Sequence, residues 1–320
     1  MTKRVFTYGC SVTQHIWPTW ADIVLHSARI NCYSVFNAGR SGIGNTGIKR
    51  SVIQTHEKYD ITEEDTLLVM WTSWLREDRL TQYDTLRNPK DVEPNSYVTH
   101  TRCGNVLNTP FYTDRFIRDY FNLDHYIINS ISEITAVRKA FALAYEGSIA
   151  IGEGISDAHS RNVFDNSLTK GVYAAFNADL HMPNPYVVSD IHNKYSEYAP
   201  YYVYDGHPVP AHALDYVQQS VEPHLPFDIL PETIEWVDQW NRLLLSLLTQ
   251  YGAGGRNPDT INFGNNTHQW HKRCQMKMDA YNKDNGITTH SDIWGGTDSE
   301  PDAVDTLSIL KTFVDRNKKG

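Results

Sequence analysis

Short apolar runs and amphipathic stretches alternate along the first 75 residues. Arg4–Tyr8 is a β-prone run that stops at Gly9, which predicts a strand entering a turn. Over residues 18–30, Trp20, Ile23, Val24 and Ala28 recur at helical spacing, with Pro18 suited to a first turn. Residues 32–36 predict a second strand, which runs into the Gly-rich stretch 37–45. Residues 46–58 read as a helix, and Thr66–Trp71 as a strand buried on both faces because its apolar run is unbroken. This β-α-β-α-β order predicts an α/β fold, a parallel sheet with helices on both faces. In such a sheet ligands gather outside the carboxyl ends of the strands. The segments after Tyr8, Phe36 and Trp71 are therefore expected to converge on one crevice.

Further along, residues 76–125 are polar and aromatic with Pro89, Pro94 and Pro110, and read as a long insertion over the sheet edge. Residues 124–145 predict a helix with Ile127, Ile131, Ile134, Val137 and Phe141 on one face, and residues 148–151 a fourth strand. Residues 155–204 are loop-rich and Tyr-rich, a lid or binding surface. A helix is expected over 210–220, then a strongly amphipathic one over 231–250 carrying Ile234, Trp236, Val237, Trp240, Leu244, Leu245 and Leu248. The division that follows is an α/β domain over 1–220 and a helical or irregular C-terminal extension over 221–320. The last seventy residues, with Gly252-Ala253-Gly254-Gly255, are read as a small appended module.

Composition narrows the function classes. The formal net charge is −9 at pH 7 without clustered Lys or Arg, so no nucleic-acid partner is expected. The N-terminus has no apolar stretch of signal-peptide length, and the greasiest run, 243–248, is broken by Ser246 and too short for a bilayer. The expectation is a chain made in the cytoplasm, with no membrane association. Four scattered cysteines without a CxxC read as reduced thiols. His268, His271 and Cys274 recur every three residues, but three ligands fall short of a closed site. No metal and no cofactor are expected.

Three short motifs carry the candidate chemistry. Gly9-Cys10-Ser11-Val12-Thr13 lies at a strand-to-turn junction, where a serine exposes its hydroxyl and aims its backbone N–H at an oxyanion. Asn37-Ala38-Gly39-Arg40-Ser41-Gly42 follows the second strand, where Gly42 N–H is placed to be a second donor. Asp205-Gly206-His207-Pro208 offers a general base, His207, with Asp205 to orient it.

In this chain order the motifs resemble the SGNH (GDSL-like) hydrolase superfamily, over residues 4–75 and 200–217. The resemblance implies a three-layer, flavodoxin-like sheet and a serine esterase or deacylase. Ser11 takes the nucleophile's place, His207 the base's and Asp205 the triad acid's, with Asp190 and Asp215 as fallbacks because the acid-to-His spacing is one residue short. The Asn-X-Gly-X-Ser-Gly block is matched in full by residues 37–42, which makes Gly42 the implied oxyanion glycine. Cys10 stands where the family usually has Asp and reads as a small buried thiol. The family's oxyanion Asn after the third strand is missing from Trp71-Thr72-Ser73-Trp74, which leaves Ser73 or Asn45 as substitutes. Trp74 and Arg76 are expected at the crevice mouth as substrate contacts, although solvated charge is the plainer reading of residues 76–79. The Gly-Cys-Ser-X-Thr variant is similar to a branch common in tailed phages. That implies removal of O-acetyl groups from a carbohydrate, with other virion (tail) proteins as partners. Three alternatives stand beside it: a catalytically inactive virion structural or glycan-binding descendant, a nucleotide or phosphate binder using residues 39–45, and a phage assembly protein docking through its C-terminal region.

Overall fold

The computed structural model describes residues 3–81, 100–105, 114–149, 182–183, 185, 196–198, 207–251 and 267–294. Strand β1 (Arg4–Tyr8) is followed by helix α1 (Trp20–Ile30), β2 (Ser34–Asn37), α2 (Asn45–Tyr59) and β3 (Thr66–Trp71). After β3 come β4 (Arg76–Thr81), β5 (His100–Asn105), α3 (Asp114–Tyr120), α4 (Leu123–Ala140) and β6 (Tyr145–Ser148). Helices α5 (Pro210–Tyr216), α6 (Pro231–Tyr251) and α7 (Thr267–Asp284), strand β7 (Thr288–Thr289) and helix α8 (His290–Trp294) complete the described chain.

The sheet has the order β6-β3-β1-β2-β7 and every pairing in it is parallel. Parallel strands need helical crossovers, and these cover both faces: α1 packs with α5 and α6, while α2 packs with α4. The result is the mixed α/β architecture that the alternating pattern predicts, consistent with the three-layer, flavodoxin-like sheet that the resemblance implies. The chain reverses its direction across the sheet between β1 and β3, and the crevice of such a fold lies at that switch point. Ser11 follows β1 directly.

Several elements differ from the sequence reading. Helix α1 starts at Trp20 because Thr19 takes the N-cap: its side chain accepts from Asp22 N–H, and Asp22 returns the bond to the Thr19 backbone N–H. Pro18 therefore lies outside the helix. Helix α4 ends at Ala140, and the fourth strand comes earlier than expected, at Tyr145–Ser148. Gly147 is needed there, because a Cβ would stand 2.4 Å from the Tyr216 hydroxyl oxygen. The polar stretch after β3 forms an antiparallel hairpin, β4 with β5. The segment after 220 is built into the same body. Thr288–Thr289 pairs with β2 as the edge strand, and Trp236 packs against the main core. The lid-like loops expected over 155–204 lie almost wholly outside the described residues.

A continuous apolar core fills both faces of the sheet, with Val5, Phe6, Leu68, Val69 and Trp71 all at most 1% exposed. A smaller cluster joins Trp17, Val209, Trp240, Leu244, Cys274 and Met278. It ties the loop after β1 and the start of α5 to the two long C-terminal helices. No helix among the described residues is long and apolar enough to cross a membrane.

Candidate active site

The turn after β1 is tight. The Cys10 carbonyl accepts from Thr13 N–H at 2.9 Å and from Gln14 N–H at 3.1 Å, which folds Ser11 and Val12 back over the strand end. Cys10 itself is fully buried with a free thiol, as its reading as a packing residue requires. Gly9 lets the turn pass close to β3. A Cβ at that position would lie 2.0 Å from Thr13 Oγ1 and 2.9 Å from the Met70 carbonyl oxygen.

Thr13 is the hub of this turn. Its hydroxyl oxygen accepts from Trp20 Nε1 at 3.2 Å. Its carbonyl accepts from Thr19 Oγ1 at 2.8 Å and from Asn37 Nδ2 at 3.1 Å. Asn37 also donates to Asp22 Oδ1 at 3.0 Å and accepts from Gly39 N–H at 3.0 Å. The first motif's Thr and the second motif's Asn are thus one network, closed by the Asp22 carboxylate. Burial pushes the Asp22 carboxyl up to about 6, against the bonds from Thr19 and Asn37 that hold it down. Asp22 ends the Trp-Pro-Thr-Trp-Ala-Asp stretch that follows the serine motif, but its part in this network was not foreseen.

The loop after β2 is held to the same turn by Arg40 N–H donating to the Gly9 carbonyl at 2.9 Å. Ile43 N–H reaches the Arg40 carbonyl at 3.4 Å, so residues 40–43 form a β-turn. Gly42 has φ 79°, the left-handed value that the third position of a type II turn needs. At the outer side of this rim, burial and the Arg40 charge hold the His290 imidazole down at about 3, which keeps it neutral.

Ser11 and His207 line the same solvent-open cleft, with Val12, His15, Pro185 and Pro208 around them. Ser11 is 4% exposed and His207 half-buried. His207 sits just before α5, whose first residue is Pro210, and Trp17 Nε1 donates to the Pro208 carbonyl at 2.8 Å across 191 positions of chain. The imidazole of His15 stacks on that of His207 with ring centroids 4.2 Å apart and planes 21° apart. It also meets Trp17 edge-on at 4.3 Å. His15 belongs to the cleft although no motif marks it. Its only signal was a position four residues after the serine.

The remaining predicted site residues are placed differently. Asp205 and Asp190 lie outside the described residues, and Asp215 is half-buried on α5. Asn45 is fixed to the β3 end, accepting from Thr72 N–H at 2.9 Å and donating to the Thr72 carbonyl at 3.0 Å. Ser73 Oγ accepts from Leu75 N–H at 3.3 Å. Trp74, expected as a substrate contact, is 6% exposed and packs in the main core. Arg76, the first residue of β4, donates to the Ile43 carbonyl at 3.3 Å and so ties that strand to the loop after β2. The neighbouring charges are likewise structural. Asp78 accepts from Gly44 N–H at 2.8 Å and Gly47 N–H at 2.7 Å and so caps α2, while Glu77 accepts from the Tyr126 hydroxyl at 2.6 Å. They are not the solvated face that their clustering in sequence suggests. Cys274 is buried in the smaller cluster, its thiol pushed up to about 12 by burial. No group of metal-binding side chains is found among the described residues.

Comparison of the chain with models of protein families, with curated proteins and with solved structures gives no significant match.

Proposed function

We propose that the protein is a serine esterase or deacylase of the SGNH type, acting on small acyl esters and most naturally removing acetyl groups from a carbohydrate. The observation that carries the reading is that Ser11 and His207, distant in sequence, line one cleft at the carboxyl ends of the parallel strands. In the reaction His207 takes the Ser11 hydroxyl proton as Ser11 Oγ attacks the ester carbonyl. The N–H groups of Ser11 and Gly42 receive the oxyanion, and the alcohol leaves with the proton from His207. Water, deprotonated by His207, then cleaves the acyl-enzyme.

A fluorophosphonate probe should form an adduct at Ser11, located by peptide mass spectrometry. Ser11→Ala should lose the adduct and lower kcat/KM on an aryl acetate by about 10³-fold or more. Full hydrolysis by Ser11→Ala would refute the reading.

One observation favours a second reading, an inactive descendant that binds glycan or builds a virion. The carboxamide of Asn45 is engaged with the Thr72 backbone, and the Ser73 hydroxyl oxygen accepts from Leu75 N–H. With the Asn45 carboxamide held there, a third oxyanion donor would have to be its remaining Nδ2–H or the Ser73 O–H, in place of an Asn aimed at the cleft. Wild-type protein that takes no label but binds acetylated glycan would select that reading.

A further inference from the structure

We infer that His15 is a positioning residue for His207, so that the turn carrying the nucleophile also sets the orientation of the base; this rests on the hydrolase reading above. The last side-chain torsion of an imidazole has broad minima, so its ring plane is set by the groups that lie against it. General-base catalysis needs one ring nitrogen aimed at the serine hydroxyl, within about 2.6–3.2 Å in the reacting complex. Two contacts from the turn after β1 restrict His207. Trp17 Nε1 holds the Pro208 carbonyl at 2.8 Å, which fixes the backbone on the C-terminal side of the base. The His15 ring lies against the His207 ring at 4.2 Å and 21°, which fixes the plane of the imidazole.

His15 is itself braced. Its ring meets Trp17 at 85° and 4.3 Å, and Trp17 is fully buried between the turn and the long C-terminal helices. Ser11, His15 and Trp17 occupy one short stretch pinned by the Cys10 and Thr13 carbonyl bonds. The nucleophile, the ring that stacks on the base and the indole that grips the base's loop therefore move as one piece. A shift of this turn carries both partners of the proton transfer together. The stack is a face contact of two flat rings, so the role belongs to the shape of His15 and any flat aromatic ring of similar size should perform it.

The test compares wild type, His15→Ala, His15→Gln and His15→Phe in the full chain, by fluorophosphonate labelling rate and by kcat and KM on an aryl acetate. His15→Ala and His15→Gln should lower kcat and the labelling rate about 10- to 100-fold with KM within about twofold, the scale of a misoriented catalytic group. His15→Phe should recover to within about threefold of wild type, because the stack is kept while both ring nitrogens are lost. Using both Ala and Gln guards against one variant failing to fold, and thermal melting verifies the fold of each. Wild-type rates in His15→Ala or His15→Gln would overturn the inference. So would a His15→Phe variant as slow as His15→Ala, which would make His15 a proton-handling group instead. Either result leaves the hydrolase reading intact. Absence of label and of hydrolysis in the wild type would remove that reading, and this inference with it.

Discussion

Asp22 and His26 lie one turn apart on α1, both buried, with shifts of opposite sense. Burial raises the Asp22 carboxyl to about 6 and lowers the His26 imidazole to about 4. Between those values both side chains are neutral in the folded protein. For Asp22, the folded chain takes up its proton before the unfolded chain does, so the folded state gains stability as pH falls from about 6 toward 4. For His26, the unfolded chain protonates near 6.5 while the folded chain resists until about 4, so stability is lost across that window. At ~1.4 kcal/mol per pKa unit, Asp22 contributes a gain of about 2 kcal/mol at pH 4 relative to pH 7. His26 contributes a loss of about 2 kcal/mol after allowance for solvent screening. In the wild type the two cancel, and each substitution unmasks the other.

Urea unfolding of wild type, Asp22→Asn and His26→Gln at pH 7, 6, 5 and 4 measures this, with every variant expressed relative to wild type so that shared titrations drop out. His26→Gln starts lower, because the stacks on Trp236 at 4.6 Å and Tyr281 at 5.9 Å and the bond to Thr233 at 2.8 Å are lost. It then gains about 2 kcal/mol on wild type as pH falls from 7 to 4. Asp22→Asn loses about 2 kcal/mol over the same range. Differences that stay constant with pH in both variants would refute the argument.

Two further outcomes follow from the loop after β1. Trp17→Phe keeps the aromatic body but leaves the buried Pro208 carbonyl without its 2.8 Å donor, which should cost about 1–3 kcal/mol in urea unfolding; an unchanged midpoint would contradict it. Gly9→Ala drives a methyl into Thr13 Oγ1 and the Met70 carbonyl, and should cost about 1–3 kcal/mol together with most of the labelling at Ser11. A Gly9→Ala protein of wild-type stability would show that the turn is looser than its contacts imply.

What the sequence revealed depended on how strongly burial constrains each element. Strands β1 and β3 were legible because both faces are covered: after Thr66 the β3 run is apolar without interruption, and β1 is broken only by the buried Thr7. Strand β6, Tyr-Glu-Gly-Ser, carries no such run: Gly147 is set by the nearby Tyr216 hydroxyl, and Glu146 accepts from Trp71 Nε1 and Arg138. Helix α4 was read too long because Phe141 continues its apolar face, although the backbone at Phe141 is already extended. At the site, Ser11 and His207 sat in local motifs and line one cleft, while Gly42, also in a motif, takes the left-handed turn position. The parts played by His15 and Asp22 were not foreseen, because one acts through a ring contact with residue 207 and the other through a bond to residue 37. Proximity across the fold leaves no local trace. Trp74 and Arg76 differ for the opposite reason: read as substrate contacts, Trp74 is packed in the core and Arg76 bonds the loop after β2 from the start of β4.

The pairing of Thr288–Thr289 with Phe36 and Asn37 has a consequence for synthesis on the ribosome. The outer side of β2 gains its backbone partner only after roughly 250 more residues have been made, a delay on the order of 10–50 s at ~5–20 residues per second. Until then a nascent chain presents an open row of N–H and C=O groups beside the nucleophile's own strand, a template for joining another copy. Expression hosts that slow elongation or lack a holding chaperone should therefore yield more insoluble protein from this chain than from one whose sheet closes early.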